Sequence, residues 1–240
     1  MKGMIVRASG AGHEFRAIGR AAVMRKRLLL LVVLLLLVSC AVFFILSKFV
    51  FNSKKNPFTD VVETDWFYES ARYVYDRGLM KGTEDGMFSP DMPMQRGMMI
   101  TILYRLEGEP EVTEPCPFTD VPDSSPYATP VTWAASCGIV NGFNGTDFAP
   151  YEVLTRQQAA TFLYRYAALK EYDTASDENL DRFSDTWGIE DYAADACAWV
   201  VSKGLINGTS DTTFNPADPV TRAQGAVIVT RFCDNVAIPG

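Results

Sequence analysis

Histidine is nearly missing from the 240 residues: His13 is the single one. Everything after residue 50 lacks it, which excludes there a His-based triad, a His zinc site and a His general base. The cysteines form no C-x-x-C pair, so redox and metal chemistry of that kind falls away. Basic charge is short where nucleic acid would demand it. Residues 51–240 carry 14 Lys/Arg against 28 Asp/Glu, or 14 − 28 = −14, and a general nucleic-acid binder needs a basic footprint. Nucleophile elbow, phosphate loop and metal motif are also absent. The loops 83–86 and 144–147 lack the ligand spacing of a calcium site. These absences point away from an enzyme, and no cofactor or metal is expected.

Charge disappears altogether from 28–46, a run of 19 apolar and small residues. As a helix it spans about 28 Å, close to a bilayer core. Residues 1–27 hold seven Lys/Arg and one acid, Glu14, so the positive-inside rule keeps this basic N-terminus in the cytoplasm and places the acidic body outside. The segment 28–47 reads as an uncleaved single-pass membrane anchor. Two other readings stand beside it. A start at Met24 would give an ordinary signal peptide. Leu37, Val38, Ser39 and Cys40 resemble a lipobox, in which Cys40 would carry the lipid.

What is abundant is repetition. Asn56-Pro57-Phe58-Thr59-Asp60-Val61 returns as Cys116-Pro117-Phe118-Thr119-Asp120-Val121, and more weakly as Arg182-Phe183-Ser184-Asp185. Gly78, Gly82, Phe88, Pro90, Arg96 and Arg105 return 60 residues later as Gly138, Gly142, Phe148, Pro150, Arg156 and Arg165. They return 66 residues further on as Gly204, Gly208, Phe214, Pro216, Arg222 and Arg231. Three units follow: 56–110, 116–170 and 181–236, with linkers near 108–116 and 170–181.

Each unit predicts helix, loop, helix. The first helix shows apolar residues at i, i+3, i+4: Ala71, Val74, Tyr75; then Val131, Ala134, Ala135; then Cys197, Val200, Val201. Gly78, Gly138 and Gly204 supply left-handed stops. The second helix buries Met99, Ile102, Leu103 and Leu106, with equivalents Ala159, Phe162, Leu163, Tyr166 and Gly225, Ile228, Val229, Phe232. A two-helix unit of this size cannot cover both its faces, so the three should pack together. Cys116, Cys137, Cys197 and Cys233 allow three pairings, which the sequence leaves open. Cys197 lies on an apolar helix face and reads as a buried free thiol.

Thr155-Arg156-Gln157-Gln158 and Thr221-Arg222-Ala223-Gln224 open their second helices as capping boxes. The arginine stands where the helix dipole is already positive, so it adds nothing to helix stability. With free backbone amides it would make an anion site; a salt bridge to a repeat aspartate is the structural alternative. The first unit has Gln95-Arg96-Gly97-Met98: the arginine stays and the box is lost. Arg105, Arg165 and Arg231 read as helix C-terminal cations, and Tyr73, Trp133 and Trp199 as packing residues.

Phe-x-Asp-Val, the aromatic cluster Trp66-Phe67-Tyr68, Gly-x-x-x-Gly, Phe-x-Pro and Thr-Arg-x-Gln together resemble the S-layer homology repeat of bacterial cell-surface proteins. Three tandem copies cover about 57–233. The resemblance implies an all-α fold, with three helix-loop-helix repeats in a pseudo-threefold assembly behind the membrane helix. It also implies grooves between repeats that bind secondary cell-wall polysaccharide, often through a pyruvylated amino-sugar. By match, Arg96, Arg156 and Arg222 would meet the pyruvyl carboxylate, and Trp66, Tyr127 and Tyr192 lie near the aromatic position. The family glutamate is Met98, Gln158 and Gln224 here. Such a module would tether membrane to wall; a cell-surface protein–protein scaffold that reuses the fold without glycan is the alternative.

Overall fold

The computed structural model describes residues 56–177 and 179–237. The readings on 1–27, on 28–47 and on Cys40 lie outside these residues; among the described residues, no helix is long and apolar enough to cross a membrane. The described residues form six α-helices: α1 (Tyr68–Asp76), α2 (Arg96–Leu106), α3 (Ala128–Ser136), α4 (Arg156–Leu169), α5 (Ala194–Ser202) and α6 (Arg222–Asn235). Two short 3-10 turns, Thr186–Gly188 and Asp191–Ala193, precede α5 and were not foreseen. Extended structure among the described residues is limited to isolated bridges. Each unit thus supplies a short first helix and a longer second one.

Local chemistry sets the helix ends. Thr155 and Thr221 accept from the amides of Gln158 and Gln224, whose side chains accept in return from the threonine amides, which satisfies two orphan donors per helix. The first helices end at Gly78, Gly138 and Gly204, with φ of +71°, +73° and +65°. The next amide of each turns back five residues: Leu79 to the Val74 carbonyl, Ile139 to Ala134, Leu205 to Val200. Those three apolar residues are buried against the stop they close.

The long loop of each unit is clamped by its repeat aspartate. Asp60 accepts from the amides of Phe88 and Ser89, Asp120 from Phe148 and Ala149, and Asp185 from Phe214 and Asn215, all at 2.6–2.8 Å. The clamp holds Ser89, Ala149 and Asn215 at φ between 54° and 57°, a conformation that costs a non-glycine residue about 1 kcal/mol or more. It also drives Phe88, Phe148 and Phe214 fully into the core.

Helices pair between units more than within them. α3 of unit 2 packs on α2 of unit 1, α5 of unit 3 on α4 of unit 2, and α1 of unit 1 on α6 of unit 3, so the set closes on itself. At the centre the closure is in hydrogen bonds. Met94 N–H donates to Val220 at 2.8 Å, Val220 N–H to Leu154 at 3.0 Å, and Leu154 N–H to Met94 at 2.8 Å. All three side chains are fully buried. This three-member ring of amides is the axis of the expected pseudo-threefold arrangement.

Three packing readings need correction. Tyr75, placed on the apolar stripe of α1, is exposed, with its ring edge-on to Phe58 at 5.0 Å. Leu106 and Ala135 are half-buried. Trp133 and Trp199 pack as read, against Tyr104 and Tyr164 with centroids 5.6 Å apart in each case. All four described cysteines are free, and Cys197 is fully buried.

Candidate functional site

Each helix-start arginine reaches into another unit. Arg96 donates through Nε and Nη2 to the Phe148 carbonyl. Arg156 donates to the carbonyls of Phe214 and Asn207, and Arg222 to those of Phe88 and Lys81. The acceptors are backbone carbonyls, which corrects the alternative of a salt bridge to a repeat aspartate. The guanidinium of each also lies over the phenylalanine whose carbonyl it holds, 4.6–5.1 Å from the ring centroid. All three are 5–7% exposed. Burial lowers their pKa, Arg96 to about 10, and they remain cations at neutral pH.

The free backbone amides expected beside them are not free. The amides of Arg96 and Gly97 donate to Glu152 and Pro150, those of Arg156 and Gln157 to Asp218 and Pro216, and those of Arg222 and Ala223 to Met92 and Pro90. Tight packing between units consumes the donors that an anion would have used. What stays available is the guanidinium itself. Five N–H donors per arginine exceed the carbonyls they meet, and each guanidinium lines a groove.

Three such grooves repeat around the axis. Groove I joins Arg222, Arg105, Lys81, Met98 and Tyr127. Groove II joins Arg96, Arg165, Asn141, Gln158 and Tyr192. Groove III joins Arg156, Arg231, Asn207, Gln224 and Trp66. Every groove therefore takes residues from all three units. All eight residues expected at a glycan site, Arg96, Arg156, Arg222, Trp66, Tyr127, Tyr192, Gln158 and Gln224, line one of them. The volumes are about 520 Å³ for groove I, 270 Å³ for II and 280 Å³ for III.

Sequence reasoning missed several wall residues. Arg105, Arg165 and Arg231 donate to the carbonyls of Leu79, Ile139 and Leu205, just past the helix stops, and line the grooves as well. Arg165 and Arg231 stand more than a turn before their helix ends, so the carbonyl explains them and the helix dipole does not. Phe143, 59% exposed, lies under the Arg96 guanidinium at 4.3 Å. Its counterparts are Thr83 and Thr209, so the repeat gave no signal for it. In groove I the Tyr127 hydroxyl donates to Gln95 at 2.8 Å, and the residue that replaces the threonine cap has thereby become an anchor for the aromatic wall.

Electrostatically the grooves contrast with the body. Each presents two arginines, and no Asp or Glu lines any of the three, although residues 51–240 carry a balance of −14. Each groove sets one buried and one half-buried arginine beside an aromatic, exposed at Trp66 and Tyr192 and half-buried at Tyr127; Arg105 also lies 3.7 Å from Glu109, outside the lining. Such a surface suits an anionic ligand with a ring or apolar face.

Comparison with known proteins agrees with the division into three repeats. A family model described as the S-layer homology domain matches residues 57–97, 117–160 and 182–226. The chain is 29% identical over 187 residues to an endoglucanase of Bacillus sp. (strain KSM-635), covering 77% of this chain and 20% of that protein. It is 29% identical over 174 residues to the surface-layer 125 kDa protein of Lysinibacillus sphaericus, 70% of this chain and 14% of that one. With a cellulosome-anchoring protein of Acetivibrio thermocellus it shares 25% identity over 167 residues, 68% and 37% of the two chains. The chain thus spans well under half the length of these relatives.

Proposed function

From a chain that belongs to the S-layer homology family, we infer a non-catalytic wall-attachment module that holds anionic cell-wall polymer in the grooves between its repeats. The observation that carries this reading is the pair of arginines in every groove, without a lining carboxylate, in an acidic body. Relatives named for a surface layer and for anchoring support it. The enzyme among them is matched over only 20% of its length, and the repeats account for nearly all of this chain after residue 56. The polymer in this reading is a secondary cell-wall polysaccharide of the pyruvylated amino-sugar type, whose carboxylate meets Arg96, Arg156 or Arg222. Together with 28–47 in the membrane, or a lipid on Cys40, the module tethers membrane to wall at the cell surface.

The test is a pull-down on purified sacculi, with and without their secondary polymer. Substituting Arg156 or Arg222 would also break bonds between repeats, so the informative variants are aromatic. Trp66 is 66% and Tyr192 52% exposed. Trp66→Ala and Tyr192→Ala should each lower sacculus binding several-fold while the thermal midpoint stays within about 2 °C of the parent. Full retention by the double variant, or equal binding to polymer-free sacculi, would reject glycan binding and leave the protein scaffold.

A further inference from the structure

Groove I is built differently from its two copies. The residue at the fourth position of the helix start is Met98, where grooves II and III have Gln158 and Gln224. Those glutamines are tied back to the amides of Thr155 and Thr221. Met98 has no such tie, and Gln95, which could have capped the helix, is held by the Tyr127 hydroxyl. Met92 lines groove I as well; its counterparts Glu152 and Asp218 are absent from the linings of II and III. The half-buried Met92 and Met98, with Ile102, give groove I a thioether and alkyl lining, a surface that reshapes around apolar groups. The lining also gains a cation: Lys81 replaces Asn141 and Asn207, beside Arg222 and Arg105, the latter also 3.7 Å from Glu109. The volume, about 520 Å³, is nearly twice that of either sister groove.

We propose that groove I takes an anion that carries an apolar alkyl or acyl substituent next to its carboxylate, and that grooves II and III take the anion without one. The carboxylate meets Arg105, Arg222 and Lys81, and the substituent lies along Met92, Met98 and Ile102. This rests on the reading that the grooves bind anions, and it adds a division of labour among them.

Full-length protein in lipid nanodiscs, labelled at methionine methyls and at nitrogen, is titrated with acetate, butyrate and hexanoate and followed by NMR. Met92 and Met98 methyls report groove I, the Gln158 side-chain amide groove II, and the Trp66 indole N–H groove III. All grooves meet the same free acid, so partition into lipid cancels in the comparison between them. The apparent affinity at Met92 and Met98 should rise about two- to fourfold per added methylene relative to the other two reporters. Met98→Gln, which installs the residue of the sister units, should remove that dependence. If grooves II and III respond but groove I shows no dependence on chain length, or if Met98→Gln keeps it, the proposal falls and anion binding stands. If no groove responds to any acid, both fall.

Discussion

Gly97 stands at the second position of α2, where a glycine weakens a helix start. Its reason lies in another unit: a Cβ built there would come within 2.6–2.7 Å of the Tyr127 ring. The helix gives up propensity so that the aromatic wall of groove I can seat, with its hydroxyl on Gln95. Gly97→Ala should therefore destabilise despite alanine's better helix propensity, by about 1–3 kcal/mol as for an overpacked core. Urea unfolding of Gly97→Ala, Tyr127→Ala and the double variant checks this, because the alanine should cost little once the ring is gone. Equal loss in both backgrounds would place the strain elsewhere. Sequence showed the glycine and the missing cap but gave no means of joining them to Tyr127, 30 residues away in another unit. A similar match links Gly225 of α6 with Met94, whose sulfur occupies the space a Cβ would need.

At the level of the element, the loop between the helices is organised by one carboxylate. Burial alone would raise the pKa of Asp185, but the amides of Phe214 and Asn215, with the more distant Arg156, hold it below the usual aspartate range. A carboxylate depressed in the folded state stabilises above its unfolded pKa of about 3.9, and the contribution fades as pH falls through the folded value. Asp185→Asn should thus lower stability most at neutral pH, with the gap to the parent closing on acidification below about pH 4. Denaturant midpoints measured across that range decide it; a gap that does not change with pH would mean the charge plays no part. Much at this scale was legible. The capping boxes of Thr155 and Thr221, the left-handed stops at Gly78, Gly138 and Gly204 and the apolar spacing of the second helices are local, so residues a few positions apart reveal them. The arginines were found as a repeated position but not as a joint, since Arg222 meets Phe88 across 134 residues and spacing carries no sign of the partner. The amides of Arg96, Arg156 and Arg222 looked free for the same reason: their acceptors belong to a neighbouring unit.

Across the whole molecule, burial comes from contacts between units. α1 finds its partner in α6, so unit 1 is complete only when the last helix is in place. A fragment of 56–110 should melt without a cooperative transition, and removal of 222–235 should unfold the remainder, because it strips α1 of its cover and takes away the Arg222 bonds to Phe88 and Lys81. Differential scanning calorimetry of the fragment and of the truncated chain tests this, and a sharp endotherm from the isolated unit would contradict it.

The ring of Met94, Leu154 and Val220 also fixes a number. In a solenoid a copy can be added or deleted, and the stack grows or shrinks by one interface. Here each unit donates one amide and accepts one at the axis, and each arginine is spoken for by the next unit's carbonyl. Two units would leave an open side, and a fourth would have no place in the triangle. Gains and losses of repeats in such chains should therefore come in threes, as whole rings, and a gene that drops one copy should encode a protein that must borrow the missing third from a second molecule.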